Sequence, residues 1–341
     1  MTSLFILFNM KKKSLILIAI LMLAAMTGCK SAPQNKAHAF DSNETIHFGY
    51  IATDQLHSPA VMIMKEKKLL EQAGFNVVWH EYIAGAHALQ EMAAGAIDFA
   101  NCGVVPVIIN HSQGMELAIL SGSNQEGSSL VVSKSIKSIN ALDGKTIATP
   151  GLGSIQDAMI TLIAMENDIT IQLTTMEVAD MPFFLEKNEI DGFIAWAPHP
   201  AIAVSKKAGH ELLCSRDMMP NHQCCVLVTK AETLRDNPKI AEKVLSVYLD
   251  AFKWFLDNQE ESIKIMVSAT GASETVIRNA ITTVNYIYPP YCNVESMEHI
   301  ARGLIGAGRI TTTEAELGGF FEGLYYPRLL EEVLEQSGLD R

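Results

Sequence analysis

Between Thr45 and Thr229 the chain alternates short apolar runs with helix-length segments, and it does so twice. Thr45 to Ala52 reads as a strand, Ser58 to Ala73 as a helix closed by Gly74, and Phe75 to Tyr82 as a second strand. Ala86 to Ala94 is helical and closed by Gly95, Ile97 to Asn101 is a third strand, Val104 to Gln113 a helix and Glu116 to Ser121 a strand. The pattern restarts after Ser129 to Ser133. Thr146 to Thr149, Gln172 to Val178 and Ile190 to Trp196 read as strands, with helices at Ser154 to Glu166, Met181 to Lys187 and Pro198 to Ala208. Strands separated by helices of this length imply parallel βαβ units.

A strand-like return, Gln223 to Thr229, leads into a helical tail that runs on to Glu335. This order predicts an α/β protein of two lobes. Residues 45–130 plus 224–341 make the first, residues 134–220 are inserted as the second, and a hinge lies near 130–134 and 220–224. Roughly 310 residues beyond the leader exceed what one core usually holds, which agrees with two lobes. Ligands in such sheets bind where the carboxyl ends of strands meet helix N-termini, so a cleft between lobes is the place to search.

The leader is a second informative stretch. Lys11, Lys12 and Lys13 precede an apolar run from Leu15 to Ala25, which ends at Met26-Thr27-Gly28-Cys29. A basic segment, a short apolar segment and small residues form an export signal, and the apolar run is too short to span a bilayer. The small residues before Cys29 resemble the bacterial lipobox, which implies a signal peptide over residues 1–28 and lipidation of Cys29. Residues 29–44 then read as a flexible tether. Met10, followed by three lysines, is the expected translation start.

Losing residues 1–28 removes three lysines and no acid, so the formal charge moves from −12 to −15. An acidic body without Lys and Arg clusters is a poor partner for nucleic acid. Beyond Cys29 there are five cysteines, Cys102, Cys214, Cys224, Cys225 and Cys292, with no repeated metal-ligand spacing. They read as small buried residues. Cys224 and Cys225, being adjacent in a strand, are expected on opposite faces.

Three segments carry a family resemblance. The stretch Gly85 to Asp98 has a loop, a helix, Gly95 and then Asp98. Asp143-Gly144 leads through Thr149-Pro150-Gly151 to Gly153-Ser154-Ile155-Gln156-Asp157. Asp191 precedes Trp196-Ala197-Pro198. In this order and spacing they resemble the nitrate, taurine and sulfonate solute-binding proteins of ABC importers, related to binders of thiamine precursors. The resemblance implies a two-lobed, periplasmic-binding-protein-like (type II) fold with a helical C-terminal tail. It also implies a monomeric lipoprotein in the cell envelope that takes up a small-molecule solute and passes it to an ABC permease and its ATPase. It implies no catalytic residue, no cofactor and no metal. Two alternatives on the same fold are a pyrimidine-synthase-like enzyme and a metal receptor using His57, His87, His199 and Cys102.

Such a cleft needs backbone N–H groups and short hydroxyl side chains at helix starts. Gly151, Gly153, Ser154, Ile155 and Gln156 meet that need, with Ser154 able to cap a helix. Thr53, His57 and Ser58 lie in the loop after the first strand, and Ser58 before Pro59 reads as a cap followed by a favoured first helical residue. Gly85 and Ala86 open the next helix. Asn101, Cys102 and Gly103 follow the third strand, and Ser123 the fourth. Trp196 is expected to stack on the solute, with His199 beside it. The absence of Arg and Lys from these loops makes a neutral heteroaromatic, a zwitterion or a modest anion at least as good a match as nitrate or sulfonate.

Overall fold

The computed structural model describes residues 44–338. The leader, Cys29 and the tether lie outside them. The strands in chain order are β1 (Thr45–Ile51), β2 (Asn76–Tyr82), β3 (Phe99–Gly103), β4 (Leu117–Glu126), β5 (Ser128–Val132), β6 (Thr146–Thr149), β7 (Gln172–Thr175), β8 (Gly192–Trp196), β9 (His210–Cys214), β10 (Gln223–Lys230) and β11 (Val284–Asn285). The helices that position the site are α1 (Pro59–Lys67), α2 (Gly85–Ala93), α3 (Val104–Ser112), α4 (Ile155–Glu166), α5 (His199–Ser205), α6 (Pro238–Asp257) and α7 (Val294–Gly306).

The strands form two sheets, ordered β11-β4-β10-β3-β1-β2 and β7-β6-β8-β5-β9. In the first, β1 pairs in parallel with β2 and β3. In the second, β6 pairs in parallel with β7 and β8. These are the expected βαβ units. Each sheet also holds a long-range antiparallel strand: β10 between β3 and β4, and β5 between β8 and β9. The chain changes sheet at Glu126–Ser128 and again through residues 215–222, compared with the expected hinge segments at 130–134 and 220–224. At the first passage Glu126 and Gly127 both have positive φ, 59° and 92°. The Glu126 side chain, 2% exposed, is tied to Arg216 Nε at 2.7 Å in the second passage.

Central strands β3, β4, β5 and β8 are buried along nearly their whole length, as expected of strands covered on both faces. Strand β9 was not expected, because its sequence HELLC is only partly buried at the sheet edge and lacks a continuous apolar run. Gly95, with φ 78°, takes the left-handed position that ends α2, which explains the helix-then-glycine pattern there. In the tail, α6 packs its fully buried Tyr248 beneath β3 and β4. Its hydroxyl accepts from Asn101 Nδ2 at 3.1 Å and donates to Gly122 O at 3.4 Å. Among the described residues, no helix is long and apolar enough to cross a membrane.

Candidate functional site

The carboxyl ends of β1, β3, β7 and β8 supply Ile51, Gly103, Thr175 and Trp196 to one cleft of about 230 Å³, and Pro150 after β6 joins them. The cleft is lined from both sheets. Helix starts reach it as well: Gly85, Ala86 and His87 from α2, and Gly151 to Ser154, Ile155 and Gln156 from α4 and the loop before it. A side chain at Gly85 would meet Pro106 Cγ at 2.9 Å, so only glycine lets α2 start this close to α3.

Ser154 caps α4, its Oγ accepting from Asp157 N at 3.1 Å and donating to Gly151 O at 2.9 Å. Asp157 in turn accepts from Gly153 N at 3.2 Å and from Arg309 Nη1 at 2.7 Å. The glycine loop is therefore braced by a carboxylate from behind. No Lys or Arg is among the residues that line the cleft.

Of the residues expected in the site, His57, Gly85, Ala86, Gly103, Gly151, Gly153, Ser154, Ile155, Gln156 and Trp196 line the cleft. The other six serve beneath or beside it. The Thr53 carbonyl accepts from Trp196 Nε1 at 2.9 Å and from His199 Nε2 at 3.0 Å, joining the two sheets across one side of the cleft. Ser58 makes no cap hydrogen bond, because its hydroxyl donates to Asn101 Oδ1 at 2.7 Å. Asn101 is fully buried between Ser58 and Tyr248. Cys102 is a core residue, its thiol pushed up to about 12 by burial. Ser123 donates to His57 O at 2.6 Å and so fixes the loop that carries His57.

Burial pushes the His199 imidazole down to about 4, against the opposing pull of its bond to Thr53. It is therefore neutral at pH 7, with the proton on Nε2. A folded-state value below the ordinary 6.5 means this neutral ring stabilises the fold above pH 6.5, and the contribution is lost as pH falls from 6.5 towards 4. His199→Gln, which keeps an N–H donor, is expected to remove on the order of 2–3 kcal/mol of that acid-induced loss. Denaturant titrations at pH 7 and pH 4.5 check this: the difference between the two pH values shrinks in the variant, and an unchanged difference contradicts it.

The deepest part of the cleft holds a group that sequence reasoning did not assemble: Asp54, His57, Cys224 and Cys225. Strand alternation would turn the two thiols apart. Register shifts on both sides of Cys225, where β10 passes β4, break the alternation and bring both thiols to the cleft. His57 is fully buried. Its Nε2 donates to Gly127 O at 3.0 Å, while Nδ1 faces Asp54 Oδ1 at 3.3 Å and Cys224 Sγ at 3.5 Å. Cys225 Sγ donates to Asp54 Oδ2 at 3.5 Å.

Burial pushes the Asp54 carboxyl up to about 7, against the pull of His57. Burial would push the His57 imidazole down, but Asp54 and then Cys224 beside it carry it up to about 9. The neighbouring Cys225 thiol and the adjacent His57 hold the Cys224 thiol well below its ordinary range, despite burial. Cys225, next to Cys224 and fully buried, is held well above it. The cluster thus favours negative charge on Cys224 beside positive charge on His57, and its thiols and imidazole are groups able to act as a nucleophile or, once deprotonated, as metal ligands.

The chain is similar to the taurine-binding periplasmic protein of Escherichia coli, 21% identical over 76% of this chain and 84% of the relative. It is also similar to a putative aliphatic sulfonates-binding protein of Bacillus subtilis, 24% identical over 80% of this chain and 82% of the relative. Among solved structures, the periplasmic nitrate-binding protein of Synechocystis superposes with a TM-score of 0.74 at 16% identity, covering 86% of this chain and 88% of that one. The two-sheet architecture is therefore that of periplasmic binding proteins, as the three sequence segments implied. Residues 41–269, well over half of the sequence, match the NMT1-like family, and the chain belongs to that family.

Proposed function

We propose that this protein is the extracytoplasmic solute-binding component of an ABC importer: it captures a small polar or organic solute and hands it unchanged to a permease and its ATPase. The observation that carries this reading is the cleft lined jointly by strand ends of both sheets, the arrangement a two-lobed receptor uses to close on a solute. The names of the relatives support it, since they bind taurine, aliphatic sulfonates or nitrate. The strands of each sheet with their helices act as the lobes, and Glu126–Ser128 with residues 215–222 act as the hinge.

The lining favours a particular class of solute. It is mostly apolar, it carries the Trp196 ring, and it offers no cationic side chain while Asp157 lies behind the glycine loop. A solute with a planar or apolar body and a neutral or zwitterionic head matches this better than a small, fully charged oxyanion. Titration calorimetry with taurine, short alkanesulfonates, nitrate and an uncharged aminopyrimidine tests it. Saturable binding is expected from a neutral or zwitterionic member, with nitrate at least about tenfold weaker, a gap of about 1.4 kcal/mol. Nitrate as the tightest ligand would overturn the charge argument.

The receptor is held at the membrane by lipid on Cys29 and works as a monomer; the leader sequence supports the anchor. Cells fed labelled palmitate are expected to label the wild-type protein and not Cys29→Ala. Equal labelling of both would remove the anchor from the account.

A further inference from the structure

The cluster at the cleft floor has the geometry of an ion site, and this goes beyond the capture of an organic solute. His57 Nδ1, Cys224 Sγ and Cys225 Sγ all lie within 4.8 Å of one another. Tetrahedral zinc, with bonds of about 2.3 Å to sulfur and about 2.0–2.1 Å to nitrogen or oxygen, requires ligand-to-ligand edges of about 3.3 Å (N to O) and about 3.5–3.6 Å (S to N or O). The His57 Nδ1 to Cys224 Sγ edge matches at 3.5 Å, and Asp54 lies beside the trio, its Oδ1 3.3 Å from His57 Nδ1 and its Oδ2 3.5 Å from Cys225 Sγ.

Two further observations point the same way. Asp54 Oδ1, in a residue 4% exposed that lines the cleft, is buried without a hydrogen bond and faces His57 Nδ1 at 3.3 Å as an ion pair, so a carboxylate stands next to the trio. His57 Nε2 donates to the Gly127 carbonyl, which orients the ring with Nδ1 towards the thiols, in the way metal-ligating imidazoles are usually held. The residue at that carbonyl is itself shaped to the ring, because a Cβ on Gly127 would lie 2.3 Å from His57 Nε2.

We propose that Cys224, Cys225 and His57 form a three-ligand site for a zinc-class divalent ion at the floor of the cleft, with Asp54 beside its fourth position. Two thiolates and an imidazole select such an ion over magnesium or calcium. On binding, the ion displaces protons from the ligand atoms, so protons are released to solvent.

The test uses the full chain, purified without a histidine tag, stripped of metal by a chelator, and kept reduced with its free thiols counted. It is titrated anaerobically with Co²⁺ and then with Zn²⁺. The expected result is one Co²⁺ per chain with thiolate-to-cobalt charge-transfer absorption, displaced by Zn²⁺. The band is abolished in Cys224→Ser/Cys225→Ser and kept in Cys214→Ser, whose thiol lies away from the cleft. His57→Gln weakens binding by about 10- to 100-fold. Absence of the band in reduced wild-type protein overturns the site, and this needs no variant to fold. A band that survives in the double variant overturns its location. Calorimetry with the organic panel on the metal-free protein is read separately, so failure of the ion site and failure of the receptor reading are distinguishable.

Discussion

Gly127→Ala is expected to destabilise the protein by about 3 kcal/mol or more, because it combines backbone strain with overpacking. Gly127 has φ 92°, where a side chain is disfavoured, and its Cβ would lie 2.3 Å from His57 Nε2 and 2.9 Å from Val284 Cγ2. Neither neighbour can withdraw easily. His57 is fully buried and tied to the Gly127 carbonyl, and Val284 is a buried β11 residue. The substitution also falls where the chain leaves one sheet for the other. Gly114→Ala provides the comparison, since Gly114 has φ 93° and its Cβ would meet nothing within 4 Å. That variant is expected to lose only the backbone contribution, about 1 kcal/mol. Thermal melts of the two variants check this. Gly127→Ala should fall by roughly 5–10 °C and Gly114→Ala by only a few degrees. Equal losses would show that the close approach of His57 contributes nothing.

The second large effect is expected at Arg309, which follows α7 and reaches across to the start of α4. Its Nη1 donates at 2.7 Å to Asp157 Oδ2, and the Asp157 side chain is 2% exposed. Arg309→Met keeps the stem and removes the charge, leaving a buried carboxylate whose remaining partner on that oxygen is the amide of Gly153. Breaking a buried pair from one side costs about 3–5 kcal/mol, and the partial exposure of Arg309 places this case near the lower end, at about 2–3 kcal/mol. Asp157→Asn/Arg309→Met removes the stranded charge and is expected to recover about half of that loss. Denaturant melts of both variants measure it. A double variant less stable than Arg309→Met alone would mean that the carboxylate serves the loop through its geometry and not through the ion pair. Because Asp157 braces the loop from Gly151 to Ser154, Arg309→Met is also expected to weaken solute binding.

Both effects depend on residues distant in sequence, and this marks the boundary of what the sequence discloses. The alternation of strands and helices was legible because glycines such as Gly95 and Gly151 sit where the backbone needs positive φ, and because central strands such as Phe99–Gly103 and Gly192–Trp196 are buried runs. The cleft face was legible for the same reason, since strand carboxyl ends and helix starts can be read along the chain. Depth was not legible. Asn101 and Cys102 lie in a strand covered on both faces, so residues that look like a strand-end loop are in fact core. His199 and Thr53 join the two sheets by a hydrogen bond that spans 146 positions in the sequence. Cys224 and Cys225 were hidden by the two-residue period of a strand, which the register shifts beside Cys225 interrupt. Asp54 was hidden by its type, because a loop aspartate normally faces water, whereas this one is 4% exposed.

The central claim is that the cleft between the two sheets holds a small solute and returns it unchanged. Native mass spectrometry of the protein purified from cells growing on a mixed organic medium tests this directly. The account predicts one small-molecule adduct per chain, released by denaturation with the same mass it has in the medium, and displaced by the best ligand of the calorimetric panel. A protein that carries no adduct and binds no member of the panel, or that releases its ligand with an altered mass, would contradict the account.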